Sequence, residues 1–246
     1  MPFPAHVISL ARRPERRERF LRWNGAQEGI AFTFVDAVDG RLLDRSCLVA
    51  DGLLAPDADY SPGALGNALS HRALWEEAAG RNEPTLVFED DACLQRRFPA
   101  IESCLACLPE GWDFLMLGYN TNAIVTLRLP NGMPVSLSFG KRHPWDFFEH
   151  LSHDASLSAR PSTYSLCQAW GTLAYLVSPQ GAARMMKACF PLAPLTLDVH
   201  LQGRAIQVFT ADGMINVGLA RGALKGFALF PPVALGPNAA DDSDVV

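Results

Sequence analysis

The densest run of reactive side chains in this 246-residue chain is Glu89-Asp90-Asp91, directly after the apolar segment Thr85-Leu-Val-Phe88. Three neighbouring carboxylates repel one another unless a cation or an arginine compensates them. A hard divalent ion with oxygen ligands is the economical answer, and Mg2+ or Mn2+ would keep room for phosphate oxygens. If strand geometry continues through the run, Glu89 and Asp91 point to one side and Asp90 to the other. The competing reading is a solvated strand end or a helix N-cap.

A second concentration is basic. Arg12, Arg13, Arg16, Arg17, Arg19 and Arg22 fall within eleven residues of a chain whose net charge is -5. Guanidinium is the better bidentate partner for phosphate, and a solvated helix face is the plain alternative. Ser70 and His71 are adjacent on a helical stretch where Asn67, Ser70, His71 and Leu74 share one face. They do not form a hydrolase triad, because no strand–Gly-x-Ser-x-Gly–helix elbow is present. His150, His153 and Asp154 have a spacing that permits a second metal site; an aromatic acceptor loop with Trp145, Phe147 and Phe148 is the stronger reading. Cys104-x-x-Cys107 has no second pair to complete four zinc ligands, so the six cysteines read as packed free thiols.

The elements that must position these groups alternate between short apolar runs and helical patterns, the mark of an α/β layer architecture. His6–Leu10 reads as a first strand, about 14–27 as a basic helix, and Ala31–Val35 as a second strand closed by the turn Asp39-Gly40. Ser61-Pro62 opens a helix to about Arg81, followed by the strand into the acidic run. Pro99–Leu108 reads as a helix and Phe114–Leu117 as a strand. From 119 to 166 the pattern dissolves and reads as an irregular acceptor-loop region. Thr172–Val177 is a strand, and Pro179 opens a helix. A short helix near Leu197–Gln202 and a strand at Ile206–Phe209 complete the core. Residues 1–235 read as one domain and 236–246 as an extended acidic tail.

Composition sets the outer limits. Apolar residues make up 49% of the chain and charged residues 19%, which excludes a disordered or solvating protein. The acidic balance argues against nucleic acid as a partner. No run approaches the ~20 apolar residues of a membrane span, and the N-terminal arginines follow the apolar stretch instead of preceding it. The expected place is the cytoplasm, with peripheral contact at the inner membrane.

The order of motifs is that of a family. VISL-ARRPERRERF, FTFVDAVDG, ALGNALSHRALW, LVFEDD and WGTLAYLVSPQGAARMM with LTLD following together resemble glycosyltransferase family 25, from about Val7 to Asp198. That family includes bacterial lipopolysaccharide galactosyltransferases and the collagen galactosyltransferases. The chain departs from it at Ser9, where members usually carry asparagine, and at Asn67, where many carry cysteine.

The resemblance implies an α/β, GT-A-like nucleotide-sugar-binding sandwich with a mostly parallel central sheet. It implies that Glu89 and Asp91 meet a Mn2+ or Mg2+ cofactor and that Glu89 or Asp90 lies nearer the ribose. Ser9, Leu10, Arg12, Arg16, Ser70, His71, Gly171 and Thr172 match donor-site positions. Asp198 would be the general base or a helix cap, and His200 a metal or diphosphate ligand. The implied reaction is inverting transfer of a hexose, galactose first, from a UDP-sugar donor to a glycan acceptor. That acceptor could be lipid-linked, as in lipopolysaccharide core. The alternative is a non-catalytic member that only binds a nucleotide or glycan.

Overall fold

The computed structural model describes residues 3–27, 29–95, 101–138 and 161–237. Strand β1 (Ala5–Ser9) is buried along its length. It pairs in parallel with β2 (Phe32–Asp36) on one side and β3 (Thr85–Glu89) on the other. A strand covered on both faces reads as an unbroken apolar run, which explains VIS and TLVF. Helix α1 (Pro14–Asn24) connects β1 to β2. It opens on a proline, with Glu15 in its first turn and Arg22 in its last, the charge order that the helix dipole favours. Its buried Phe20 meets Phe32 edge-on, with ring centroids 5.0 Å apart.

A short 3-10 turn (Gly40–Leu42) and α2 (Arg45–Ala50) lead into α3 (Pro62–Ala79). Ser61 Oγ caps α3 by accepting the Ala64 N–H at 3.1 Å. After β3 come β4 (Cys93–Leu94), α4 (Ile101–Leu105), β5 (Phe114–Asn120), β6 (Ile124–Arg128), β7 (Pro134–Ser138), β8 (Ser162–Ala169) and β9 (Ala174–Val177). Helix α5 (Pro179–Cys189) repeats the Ser-Pro opening, Ser178 Oγ accepting the Gly181 N–H at 2.9 Å. β10 (Thr196–Val199), β11 (Arg204–Gln207), α6 (Ala211–Ala220), β12 (Gly226–Phe230) and β13 (Ala234–Gly236) follow.

The main sheet runs β2-β1-β3-β9-β5-β12-β8-β6-β7, with β13 beside the far end of β5 and β4 beside β13. β1, β2, β3, β5, β6, β12 and β13 point one way, and β4, β7, β8 and β9 the other. The mostly parallel α/β sandwich expected from the sequence is therefore formed. Alternate residues of one strand feed two cores. Phe114 and Met116 pack with α3, α5 and α6, while Leu115 and Leu117 pack with Phe20 of α1. The chain leaves β1 to add β2 on one side and later β3 on the other, so a crevice opens beyond their carboxyl ends.

Three expectations are corrected. The stretch 119–166 is not irregular throughout: β5 extends to Asn120, and β6 and β7 form an antiparallel hairpin turning at Asn131-Gly132, where Gly132 has φ +86°. The short helix near Leu197–Gln202 is instead strand β10, paired with β11 in a separate two-stranded sheet. The core does not end at Phe209, since α6 is buried and β12 lies centrally between β5 and β8. Gly236 belongs to β13; residues 238–246 of the expected tail, the His150–Asp154 cluster and its aromatic neighbours lie outside the described residues. Of the C-x-x-C pair, Cys104 is buried and Cys107 exposed, both free. No helix among the described residues is long and apolar enough to cross a membrane.

Candidate active site

A cavity of about 890 Å3 opens at the carboxyl ends of β1 and β3. Ser9, Leu10, Arg12, Arg16, Ser70, Glu89, Asp90, Asp91, Gly171 and Thr172 all line it, so the fold gathers residues from four separate motifs. Of the six N-terminal arginines, only Arg12 and Arg16 reach it. Arg17 instead donates to the Ser9 carbonyl at 3.0 Å and lies over the Phe34 ring.

The G-x-x-x-S-H segment has a packing explanation. A Cβ on Gly66 would come within 2.5 Å of the Val38 carbonyl oxygen, so α3 can press its backbone against the Val38–Gly40 turn only with glycine there. One turn later, Ser70 Oγ donates to the Gly66 carbonyl at 2.6 Å and accepts the Val38 N–H at 2.8 Å. Both contacts pin the cavity wall that carries Asp39. Asp39 receives Arg41 and Arg12, whose Nε donates at 2.9 Å. Arg41 chiefly, with Arg12, outweighs desolvation and holds the Asp39 carboxyl well below its ordinary range.

His71 does not line the cavity but is fully buried behind it. Trp75 Nε1 can only donate, and it does so to the Tyr175 hydroxyl at 2.8 Å. Tyr175 then gives its proton to His71 Nδ1 at 2.9 Å, leaving Nε2–H to donate to Glu89 Oε1 at 3.2 Å. This tautomer, assigned from the hydrogen-bond network, satisfies every partner. Glu89 Oε1 also accepts Thr172 Oγ1 at 2.5 Å and Asn67 Nδ2 at 3.4 Å. Burial alone would raise the Glu89 carboxyl; the donors and the His71 ring outweigh it and hold the group below its ordinary value.

The other two carboxylates behave differently. Asp90 accepts Ser9 Oγ at 2.7 Å and faces Arg16 Nη1 at 3.4 Å, yet burial still raises it. Asp91 is pushed up to about 8, first by burial and then by the charges of Glu89 and Asp90. Its Oδ1 is sealed from solvent without a hydrogen-bond partner among the described residues. An orphaned carboxylate oxygen beside two further carboxylates fits a divalent cation. No cage of three His, Cys, Asp or Glu side chains exists among the described residues. Such an ion would therefore take Asp91 and Glu89 from the protein and its remaining oxygens from phosphate and water.

Two expected site residues lie elsewhere. Asp198 is exposed on β10, and its neighbour Val199 is the residue that lines the cavity. Successive side chains of a strand alternate faces, so Asp198 is turned away. Lying on a strand, it is not a helix cap, and it does not line the cavity. His200 does not line the cavity either; its N–H donates to Gln168 Oε1 at 2.9 Å. Sequence reasoning missed the opposite wall, built from Asn120, Asn122, Trp170, Arg204, Thr210 and Asp212. Asp212 Oδ2 accepts the Gly171 N–H at 2.6 Å, and Gly171 has φ +102°. A Cβ there would come within 2.9 Å of Asn120 Nδ2.

The family described as Glycosyltransferase family 25 (LPS biosynthesis protein) matches residues 3–200. The chain is 40% identical over 125 residues to the probable inactive glycosyltransferase 25 family member 3 of Bos taurus, covering 46% of this chain and 21% of that protein. It is 27% identical over 198 residues to procollagen galactosyltransferase 1 of Danio rerio, covering 74% and 28%. To procollagen galactosyltransferase 2 of Homo sapiens it is 38% identical over 101 residues, covering 37% and 16%. The chain thus spans less than a third of each of these relatives. The family match runs from the first strand past the acidic run and the Gly171-Thr172 dipeptide: the chain belongs to glycosyltransferase family 25.

Proposed function

We propose that the chain is a metal-dependent, inverting glycosyltransferase that moves a hexose, galactose first, from a UDP-sugar to a hydroxyl of a glycan acceptor such as lipopolysaccharide core. The observation that carries this reading is the shared cavity. Arg12 and Arg16 line it together with the Glu89–Asp91 carboxylates, Arg16 lying 3.4 Å from Asp90, and Asp91 Oδ1 has no hydrogen-bond partner among the described residues. The relatives named procollagen galactosyltransferase support the choice of galactose. Asp91 and Glu89 would hold a Mn2+ or Mg2+ ion, which when bound would neutralise charge on the leaving diphosphate. The side chains do the rest. Arg16 and Ser9 hold Asp90 in place, His71 and Thr172 fix Glu89, and the glycine at 171 lets the backbone approach a ligand closely. The cytoplasm is the proposed place of reaction, with peripheral contact at the inner membrane where the acceptor is lipid-linked.

The second reading is a non-catalytic chain that binds a nucleotide or glycan. What favours it is the 37–40% identity to family members named inactive. Calorimetry with UDP and a panel of UDP-sugars, with and without Mn2+, tests the donor site beside Asp91→Asn. Metal-dependent binding of one UDP-sugar, lost in the variant, supports it; no binding under any condition sinks it. Release of UDP from the bound sugar nucleotide then separates the enzyme from the binder.

A further inference from the structure

Five carboxylates line the cavity: Asp39, Glu89, Asp90, Asp91 and Asp212. Three of them are already engaged by side chains. Asp39 is held by Arg12 and Arg41, Asp90 by Arg16 and Ser9, and Glu89 by three donors. Asp91 is the group left for a cation. Asp212, in the first turn of α6, has no ion pair among the described residues. Its oxygens accept only backbone N–H groups, from Gly171 at 2.6 Å and Gly213 at 3.0 Å. Each carboxylate oxygen has a second lone pair, so these bonds orient the group without saturating it.

Its position is tied to the donor end of the cavity. Gly171 donates to Asp212, and the next residue, Thr172, donates to Glu89 at 2.5 Å. One dipeptide therefore spaces the carboxylate at the acidic strand end from the carboxylate on the opposite wall. Trp170, which precedes that dipeptide, and Thr210 line the cavity on the Asp212 side. An indole with polar neighbours is the surface that receives one face of a sugar ring.

We propose that Asp212 is the base that takes the proton of the acceptor hydroxyl, an assignment that rests on the glycosyltransferase reading above. The acceptor oxygen forms its bond to the anomeric carbon as the bond from that carbon to the diphosphate oxygen breaks. The bonding pair leaves with UDP, and the hydroxyl proton passes to an Asp212 oxygen. The acceptor is accordingly a sugar-type alcohol entering over Trp170, on the face opposite the diphosphate.

The test uses the full chain, UDP-galactose and Mn2+, reading UDP release to water and to octyl β-lactoside alongside calorimetric UDP-galactose affinity. Asp212→Asn keeps an oxygen for the Gly171 N–H but cannot accept a proton. We expect it to bind UDP-galactose as the wild type does while losing about 100-fold or more in UDP release. Asp212→Ala should regain part of the rate in formate, which a merely structural role would not produce, and Asp198→Asn should match the wild type. Asp212→Asn within twofold of wild type, a large loss in Asp198→Asn, or a wild type that binds donor without releasing UDP would each overturn the assignment. A wild type that binds no UDP-sugar would instead fail the donor-site reading, and this assignment with it.

Discussion

Thr172 Oγ1 donates to Glu89 Oε1 across 2.5 Å, joining the entry of β9 to the exit of β3, two antiparallel neighbours in the sheet. The bond does more than link strands. With His71 and Asn67 it fills one oxygen of Glu89 completely, which leaves the other as the only one free to meet a ligand. Thr172→Val keeps the shape and removes the donor. A hydrogen bond to a charged group contributes about 1.5–3 kcal/mol, so thermal unfolding should begin several degrees lower. UDP-sugar affinity should weaken about tenfold in calorimetry.

Tyr175→Phe tests the relay behind Glu89. The variant strands Trp75 Nε1 and His71 Nδ1 in a fully buried setting. Each unsatisfied group costs about 1–3 kcal/mol. Chemical denaturation should show that loss with an unchanged slope, and the imidazole 15N shifts of His71 should report a changed tautomer population.

Asp91 makes a pH prediction whose sign is fixed. Its ordinary value is 3.8, and in the folded chain it is pushed up to about 8. Between those values the folded state holds the extra proton, so the contribution of Asp91 to stability is complete below the lower value and is lost as pH rises through the upper one. In EDTA, melting temperature should fall from this cause as pH climbs toward 8, and Asp91→Asn should flatten that slope. Mn2+ should raise the melting temperature more at pH 8 than at pH 6, because less proton has to be displaced. Equal shifts at both values would remove Asp91 from the metal site.

Gly66→Ala and Gly80→Ala separate packing from propensity. At Gly66 the added methyl would meet the Val38 carbonyl at 2.5 Å and the Gly40 nitrogen at 2.8 Å, both backbone atoms that cannot step aside. At Gly80 the nearest atom is 3.5 Å away. The first variant should lose about 1–3 kcal/mol and weaken donor binding through Asp39. The second should be within about 1 kcal/mol of wild type, in either direction.

The acidic end of the crevice was legible because its residues sit in motifs whose local physics is strong: an apolar strand ending in carboxylates, a Ser-Pro cap, a glycine one turn ahead of a serine. The opposite wall was not, for reasons visible in particular residues. Pro191 and Pro194 ahead of Asp198 suggested a helix start, whereas the alternation Thr196 exposed, Leu197 buried, Asp198 exposed, Val199 buried is that of a strand. Helix α6 escaped because Gly213 and Gly218 depress helix propensity. Both are there for close packing: a Cβ would reach Val208 Cγ1 and Leu224 Cδ1, each within 2.7 Å. Without that helix Asp212 had no element to place it. The His71 relay was half seen: the shared face of Asn67, Ser70, His71 and Leu74 is real, but His71 and Leu74 are buried, and Ser70 is spent on the Val38–Gly40 turn at the cavity wall.

Gln168 of β8 gives the hairpin an unusual attachment. Its side-chain amide donates to the Asp198 carbonyl at 2.6 Å and accepts the His200 N–H at 2.9 Å, imitating with one residue the pair of bonds that a neighbouring strand would make. The hairpin wall is thereby fastened to the sheet without joining its ladder. Insertions or exchanges between 196 and 207 leave every strand register of the main sheet as it was. The stretch of crevice wall that this hairpin carries, Val199, Arg204 and Ile206, can thus diversify on its own evolutionary clock, while the walls built on the main strands stay fixed by them.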